Sequence, residues 1–363
     1  MSDGAKLAVD IGGTFTDLVL EKGGEQHQAK LLTTPAAPEE AVLVGAKRIL
    51  AESNTPVDAV DLVIHGTTLA TNALIERKGA KTGLIATEGF RDSVEIAYEH
   101  RFEQYDLYMD RPAPLVPRHR RLGVPERMAA DGSILLPLNE EAVVAQARVL
   151  RDEGIEALAI CFLHSYINAA HEERARELVA GELPDVAVSI SSEVCPEIRE
   201  YERMSTSCAN AYVQPMMARY LGRLESGLAG IGLACPLLLM MSSGGITTVE
   251  TASRQPIRLV ESGPAGGAIL ARNIAAQNGL EKVLSFDMGG TTAKITLIDD
   301  CEPLLSRAFE VARAYRFLKG SGLPLRIPVI EMVEIGAGGG SMASLDALRH
   351  IAVGPESAGS DPG

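Results

Sequence analysis

The chain has 363 residues, 46% of them hydrophobic, with a formal net charge of −14 and a pI near 5.1. That length exceeds one ordinary domain and supplies apolar material for two cores, so two domains are expected, residues 1–200 and 201–363. The acidic balance argues against nucleic-acid and anionic-membrane partners, which reward clustered Lys and Arg, and the local exception Arg118-His-Arg-Arg121 reads as a solvated loop.

Five cysteines without close pairs, Cys161, Cys195, Cys208, Cys235 and Cys301, suggest neither a disulfide framework nor a zinc site. No signal-peptide core follows Met1-Ser-Asp-Gly4 and no apolar run reaches membrane-spanning length, so a soluble cytoplasmic protein is expected.

In chain order, Lys6–Val9 and Leu18–Leu20 flank Asp10-Ile-Gly-Gly-Thr14, which reads as strand, tight glycine turn, strand. Helical spacing follows over residues 38–51, then a buried strand at Leu62–Ile64, a helix from Thr68 to Arg77 ending at Gly79, and a strand over residues 82–86. Residues 98–137 break this rhythm with Pro112, Pro114, Pro117, Pro125 and Pro137 and are expected to form an irregular insertion or lid. A helix to about 152, a strand at 157–162, a helix to about 182 and a strand at 186–190 then predict a mixed sheet with covering helices.

The 201–228 segment has the spacing of a long amphipathic helix linking the two halves. Beyond it come a strand at 237–241, a turn at Ser242–Gly245, a strand at 257–260, a turn over Ser262-Gly-Pro-Ala-Gly-Gly267 and a helix to about 277. The phrase of the first hairpin then returns as Asp287-Met-Gly-Gly-Thr291, between apolar runs at 283–286 and 295–297. A strand at 327–333 and the cluster Gly336-Ala-Gly-Gly-Gly-Ser341 complete the series.

The duplication carries the functional reading. Paired glycines turn sharply and bring backbone N–H groups against an anion, while the preceding carboxylate can hold a water of phosphate-bound Mg2+. Two facing hairpins would grip a polyphosphate from both sides. Neither a P-loop nor a Rossmann fingerprint is present, because these glycines follow Asp and lead into a strand.

The two hairpins, His65-Gly-Thr-Thr68 with Asn72, Gly89-Phe-Arg-Asp92, Ser262–Gly267 and Glu334–Ser341 together resemble the hydantoinase A/5-oxoprolinase family over essentially the whole chain. The resemblance implies an α/β actin-like ATPase fold, shared with sugar kinases, heat-shock 70 chaperones and actin, with ATP and Mg2+ in a cleft between two mixed-sheet domains. It implies ATP-dependent opening of a cyclic amide or imide such as 5-oxoproline or a hydantoin, or, in relatives, ATP-dependent carboxylation of a ketone. It further implies a B-type partner subunit and a chain shortened at its C-terminus. Rival readings are a non-catalytic actin-like nucleotide switch and a simple sugar or acid kinase.

On this basis Asp10 and Asp287 are assigned to Mg2+ and its waters, and the backbones of Gly12, Gly13 and Thr14 and of Gly289, Gly290 and Thr291 to the β- and γ-phosphates. Thr16 and Thr292 either support these contacts through their hydroxyls or are plain turn and strand residues. Asp17 either meets the attacking water or substrate or stabilises its turn. Lys294 stands where the first hairpin has Asp17, and either neutralises phosphate or points outward. Gly263, Gly266 and Gly267 compete with Gly338, Gly339 and Gly340 for the adenosine side. His65, Thr67, Thr68 and Asn72 are candidates for substrate contact, against an N-cap at Thr67 and a satisfied core histidine. Arg91 is either on the substrate side or in a surface ion pair with Asp92. His164 and His171 lack metal-ligand spacing, and no metal beyond Mg2+ is indicated.

Overall fold

The computed structural model describes residues 4–34, 36–98, 101–109, 111–290, 292–313, 319–346 and 349–358. A six-stranded mixed sheet carries the first hairpin, in the order Ile246–Thr248, Leu237–Met240, Val60–Thr67, Ala5–Ile11, Phe15–Lys22, Glu25–Leu32. Ala5–Ile11 pairs in parallel with Val60–Thr67 and antiparallel with Phe15–Lys22. Strict alternation in Ala5–Ile11 buries Ala5, Leu7, Val9 and Ile11 and turns Lys6, Ala8 and Asp10 outward, which fixes the register. The Pro38–Glu52 helix covers this sheet with Val42, Ala46 and Ile49, and its Pro start and acidic first turn suit a helix N-terminus. Glu25–Leu32, absent from the sequence expectation, extends the sheet because its polar alternation hides a single buried residue, Ala29. Two strands from beyond residue 200 complete the sheet, so the expected 200/201 division does not separate the sheets.

A second sheet is wholly parallel: Ala187–Ile190, Ala157–Cys161, Thr82–Thr87 and Arg121–Val124. Ala157–Cys161 and Thr82–Thr87 are buried throughout, as expected for strands covered on both faces. The Glu140–Asp152 helix, capped by Asn139 accepting the Ala142 N–H at 2.9 Å, packs with Ala170–Glu182 in one core cluster over this sheet. The expectation of an irregular 98–137 insertion is corrected here, because Arg121–Val124 is a sheet strand. Its opening residue is a buried arginine that bonds Glu95 at 2.5 Å, a signal that apolar patterning misses.

The Glu200–Gly230 helix links both sheets, burying every residue from Glu202 to Val213 and then only the face of Met217, Tyr220, Leu221, Leu224 and Leu228. It is tied to the parallel sheet by a buried polar network. Glu172 accepts N–H groups of Phe162 and Ser192, both at 2.8 Å, and the Ser191 hydroxyl at 2.6 Å, while Arg203 donates to Ser191 Oγ at 3.2 Å and to the Phe162 carbonyl at 3.0 Å. Full satisfaction is what makes such buried charge tolerable.

The second hairpin, Lys282–Met288 with Ala293–Asp299, forms a third sheet with Glu302–Pro303 and Met332–Ile335. Two expectations fail beside it. The expected 257–260 strand is replaced by a 3-10 helix, Pro256–Leu259, and Ser262–Gly267 is not a turn but the start of the Ser262–Gln277 helix. Pro264 sits in that helix's first turn, where a missing N–H costs nothing. The expected 327–333 strand is split between Val329–Ile330, paired with Leu305–Ser306, and Met332–Ile335 on the hairpin. Among the described residues no helix is long and apolar enough to cross a membrane.

Fully buried Ile49 anchors the covering helix on the first hairpin's sheet. Ile49→Ala is expected to lower stability by about 2–5 kcal/mol, read as a lower urea midpoint at unchanged slope.

Candidate functional site: two glycine hairpins

The two hairpins share one construction. The Gly12 N–H donates to the Phe15 carbonyl at 2.9 Å, and the Gly289 N–H donates to the Thr292 carbonyl at 2.9 Å. Asp10 stands across from Asp17, and Asp287 from Lys294, at the same register position. Thr33, which the sequence reading missed, clamps the first turn: its N–H meets the Thr14 carbonyl at 2.9 Å and its hydroxyl the Gly12 carbonyl at 3.0 Å. Thr16 points into the core and bonds Thr33 at 3.0 Å, so its hydroxyl braces the turn. Lys30 pairs with Asp17 at 2.8 and 2.9 Å.

Asp10 lies where several elements converge. A Cβ on Gly66 would stand 2.9 Å from its Oδ1 and one on Gly263 3.2 Å from it, so both glycines make room for the carboxylate. The Ser262 hydroxyl donates to the Thr67 carbonyl at 3.0 Å and accepts the Thr67 N–H at 3.1 Å, locking the Ser262–Gln277 helix to the end of Val60–Thr67. Although Asp10 reaches solvent, the surrounding protein raises its pKa above the ordinary 3.8, chiefly by desolvation and then through the negative charges of Asp17 and Asp287, with Lys30 opposing. The influence of Asp287 on Asp10 means that the duplicated hairpins lie within electrostatic reach of each other.

The remaining candidates divide. Thr68 donates its N–H and hydroxyl to the Ile11 carbonyl at 3.1 and 3.2 Å, and Asn72 donates to Thr68 at 3.4 Å beside Gly13, so both residues adjoin the first turn. His65 does not reach it: the ring is buried, bonded to the Tyr220 hydroxyl at 2.7 Å and the Val9 carbonyl at 3.3 Å, and burial lowers its pKa to about 4. Thr67 is buried too, its hydroxyl accepting the Leu69 N–H at 3.2 Å. Substrate contact by His65 and Thr67 is therefore replaced by core roles. Arg91 pairs with Asp92 at 3.8 Å, outside the cavity described below.

Gly263 spaces Asp10, and Gly266 and Gly267 lie within the helix, where no glycine turn exists to meet adenosine. The amides of Gly339 and Gly340 are taken by the Gly289 and Gly290 carbonyls at 2.9 and 2.8 Å, and that of Gly338 by Ser341 Oγ at 2.8 Å. This loop braces the second turn. Thr292 supplies the turn-closing carbonyl, and Thr291 lies outside the described residues.

Lys294 is mostly buried and ion-paired with Glu261, with Glu334 at 3.9 Å. The outward-pointing alternative for Lys294 is thereby excluded. Glu261 was missed because its significance is conformational: it holds a left-handed backbone, φ 61°, immediately before the Ser262–Gln277 helix. A cavity of about 730 Å3 opens beside this pair.

Among the described residues no cluster of three or more His, Cys, Asp or Glu is placed to hold a metal. Mg2+ nonetheless fits the carboxylates present, since it is commonly held by one or two carboxylates, phosphate and water, and the charge crowding at Asp10 invites a cation.

The sheet topology and the two similarly built hairpins match an actin-like α/β fold. The chain belongs to the hydantoinase/oxoprolinase family: the model of its N-terminal region matches residues 6–183 and the model described as hydantoinase/oxoprolinase matches residues 203–363. It is similar to an uncharacterised protein of Methanocaldococcus jannaschii, 41% identical over 99% of this chain and 54% of that protein. It is also similar to caprolactamase subunit alpha of Pseudomonas jessenii, 37% identical over 99% of this chain and 51% of that subunit. The crystal structure of that ATP-dependent caprolactamase matches with a TM-score of 0.86 at 36% identity, covering 99% of this chain and 52% of that one. A nucleotide-free acetone carboxylase structure matches with a TM-score of 0.82 at 28% identity, covering 98% and 51%. The chain thus spans about half the length of these relatives and about 30% of the matched 5-oxoprolinases.

A carboxyl with a raised folded pKa favours folding when protonated, so stability is lost as pH rises through that pKa. Asp10→Asn is expected to raise the thermal midpoint at about pH 7. The gain should shrink as pH falls toward 3.8, and an unchanged midpoint at neutral pH would contradict the crowded-carboxylate geometry.

Proposed function

We propose that this chain binds ATP between the two hairpins and uses it to phosphorylate the carbonyl oxygen of a cyclic amide or imide, the activating step of ATP-dependent ring opening. The observation that carries this reading is the convergence of two identically built Asp-x-Gly-Gly turns, with Asp287 close enough to bear on Asp10. The similarity to an ATP-dependent caprolactamase supports it.

A lactam carbonyl resists water because attack breaks amide resonance. When its oxygen attacks the γ-phosphorus, the bond to the ADP oxygen breaks, the N–H proton passes to solvent and the amide becomes an imidate phosphate whose ring carbon is open to water. Addition of water and cleavage of the C–N bond would leave an acyl phosphate, which a second water converts to carboxylate and phosphate. In this reading the Gly12–Gly13 and Gly289–Gly290 backbones orient the phosphates, and the bracing by Thr33 and by Gly339 and Gly340 keeps those turns rigid before substrate arrives. Mg2+, held by Asp10 and Asp287, would neutralise phosphate charge as it develops. Thr68 and Asn72 position the first turn.

We assign ring opening to a B-type partner subunit, consistent with the relative named as a caprolactamase alpha subunit. A ketone carboxylase is the second reading, favoured by the similarity to acetone carboxylase, with the same phosphorylation directed at an enol or bicarbonate.

Calorimetric titration with ATP and Mg2+ is expected to show binding that Asp10→Ala and Asp287→Ala each weaken at least about tenfold, or 1.4 kcal/mol. Phosphate release stimulated by hydantoin or a lactam supports the amide reading; stimulation only by a ketone with bicarbonate overturns it in favour of the carboxylase.

A further inference from the structure

The cavity beside the second hairpin has a volume of about 730 Å3, within the range of small-molecule sites. Its walls come from the 94–116 stretch, the first turns of the Glu200–Gly230 helix and the 305–334 strands, with Leu115, Val116, Phe309, Val329 and Met332 as apolar surface. The Lys294–Glu261 pair lines it as well, and Lys294 is the cross-strand neighbour of Asp287. The cavity therefore adjoins the second hairpin.

Glu261 is the unusual member. A residue with a side chain in the left-handed region carries conformational strain and persists where its surroundings hold it. Here its N–H donates to Thr71 Oγ1 at 3.2 Å and its carboxylate is gripped by Lys294, which together aim a carboxylate at the cavity.

Charge decides what can enter. Among the described lining residues five are acidic and four basic, and one of the acids, Glu95, is paired with the buried Arg121 just behind the wall. Lys294 lies between Glu261 and Glu334, Arg313 is paired with Glu310 at 3.1 Å, Arg111 donates to the Ile96 carbonyl at 3.2 Å, and Lys319 stands exposed. A substrate carboxylate would enter a chamber whose innermost cation is already held between two carboxylates, and burying it there is costly. An uncharged ring bearing an N–H would instead donate to a carboxylate, a charge-assisted bond, with its hydrocarbon part against the apolar walls.

We infer that this cavity is the substrate chamber, that it takes uncharged cyclic secondary amides in preference to lactams bearing a carboxylate, and that Glu261 accepts the substrate N–H. The inference rests on the proposed amide activation and narrows it. Three five-membered rings isolate the terms: 2-pyrrolidone, 5-oxoproline, which adds a carboxylate to it, and N-methyl-2-pyrrolidone, which removes the N–H.

Ligand-observed NMR titration of the full chain is expected to show 2-pyrrolidone binding at least tenfold tighter than either of the others. Glu261→Gln should weaken 2-pyrrolidone and, by releasing Lys294, strengthen 5-oxoproline, narrowing or inverting the ratio. Should that variant fail to fold, Glu334→Gln is expected to move the ratio in the same direction. Equal or tighter binding of 5-oxoproline to the parent chain, equal binding of the N-methyl ring, or an unmoved ratio in the variants would each overturn the inference. ATP titration of the same samples separates the two readings: ATP binding without lactam binding contradicts the chamber alone, and lactam selectivity without ATP binding supports the chamber while contradicting the nucleotide site.

Discussion

Three carboxylates with too little compensating charge are the constraint around which this site is organised. Asp10, Asp17 and Asp287 come from three strands of two sheets, and Asp17 and Asp287 make ionisation of Asp10 harder, on top of its desolvation. Such an arrangement costs stability in the free protein and is tolerable where a cation and a ligand later relieve it. Much of the neighbouring structure serves that concentration of charge. Glycine at 66 and 263 admits the Asp10 side chain, and Lys30 offsets Asp17 from the adjacent strand. The paired bonds between Ser262 and Thr67 keep the helix start from drifting away.

The two hairpins are alike in backbone and unlike in charge. At one register position the first carries Asp17 bound to Lys30 and the second carries Lys294 bound to Glu261. In the proposed reading the repeated turn serves one polyphosphate from both sides while its flanks diverge. The second flank opens onto the 730 Å3 cavity; in the first, Leu7, Val9 and Ile11 are packed into the largest core cluster. The matching residues of the second hairpin, Leu284, Phe286 and Met288, are more than half exposed, at 57%, 55% and 53%.

Both hairpins, the long helix and the alternation of strands with helices were legible in the sequence because their signals are local: glycine pairs between apolar runs, and period-two or 3.6-residue spacing. The Ser262–Gly267 segment misled because Gly, Pro and Ser usually punctuate turns, whereas here the first helical turn accepts all three. His65 and Thr67 share a segment with Thr68 and Asn72, yet strand alternation and the helix start send the first two inward and the latter two to the first glycine turn. Glu261 was illegible because only its backbone angle and its partner, more than thirty residues along the chain, mark it out. The role of the 336–341 glycines depended on hydrogen bonds to a turn fifty residues earlier, which no local pattern reports.

Amide hydrogen exchange with and without saturating ATP and Mg2+, resolved to the peptides spanning residues 11–16 and 288–293, tests the two-sided grip most directly. The account predicts slowed exchange in both peptides at once, because each turn would offer its N–H groups to the same polyphosphate. Protection confined to one turn, or absent from both while nucleotide is bound, would contradict it.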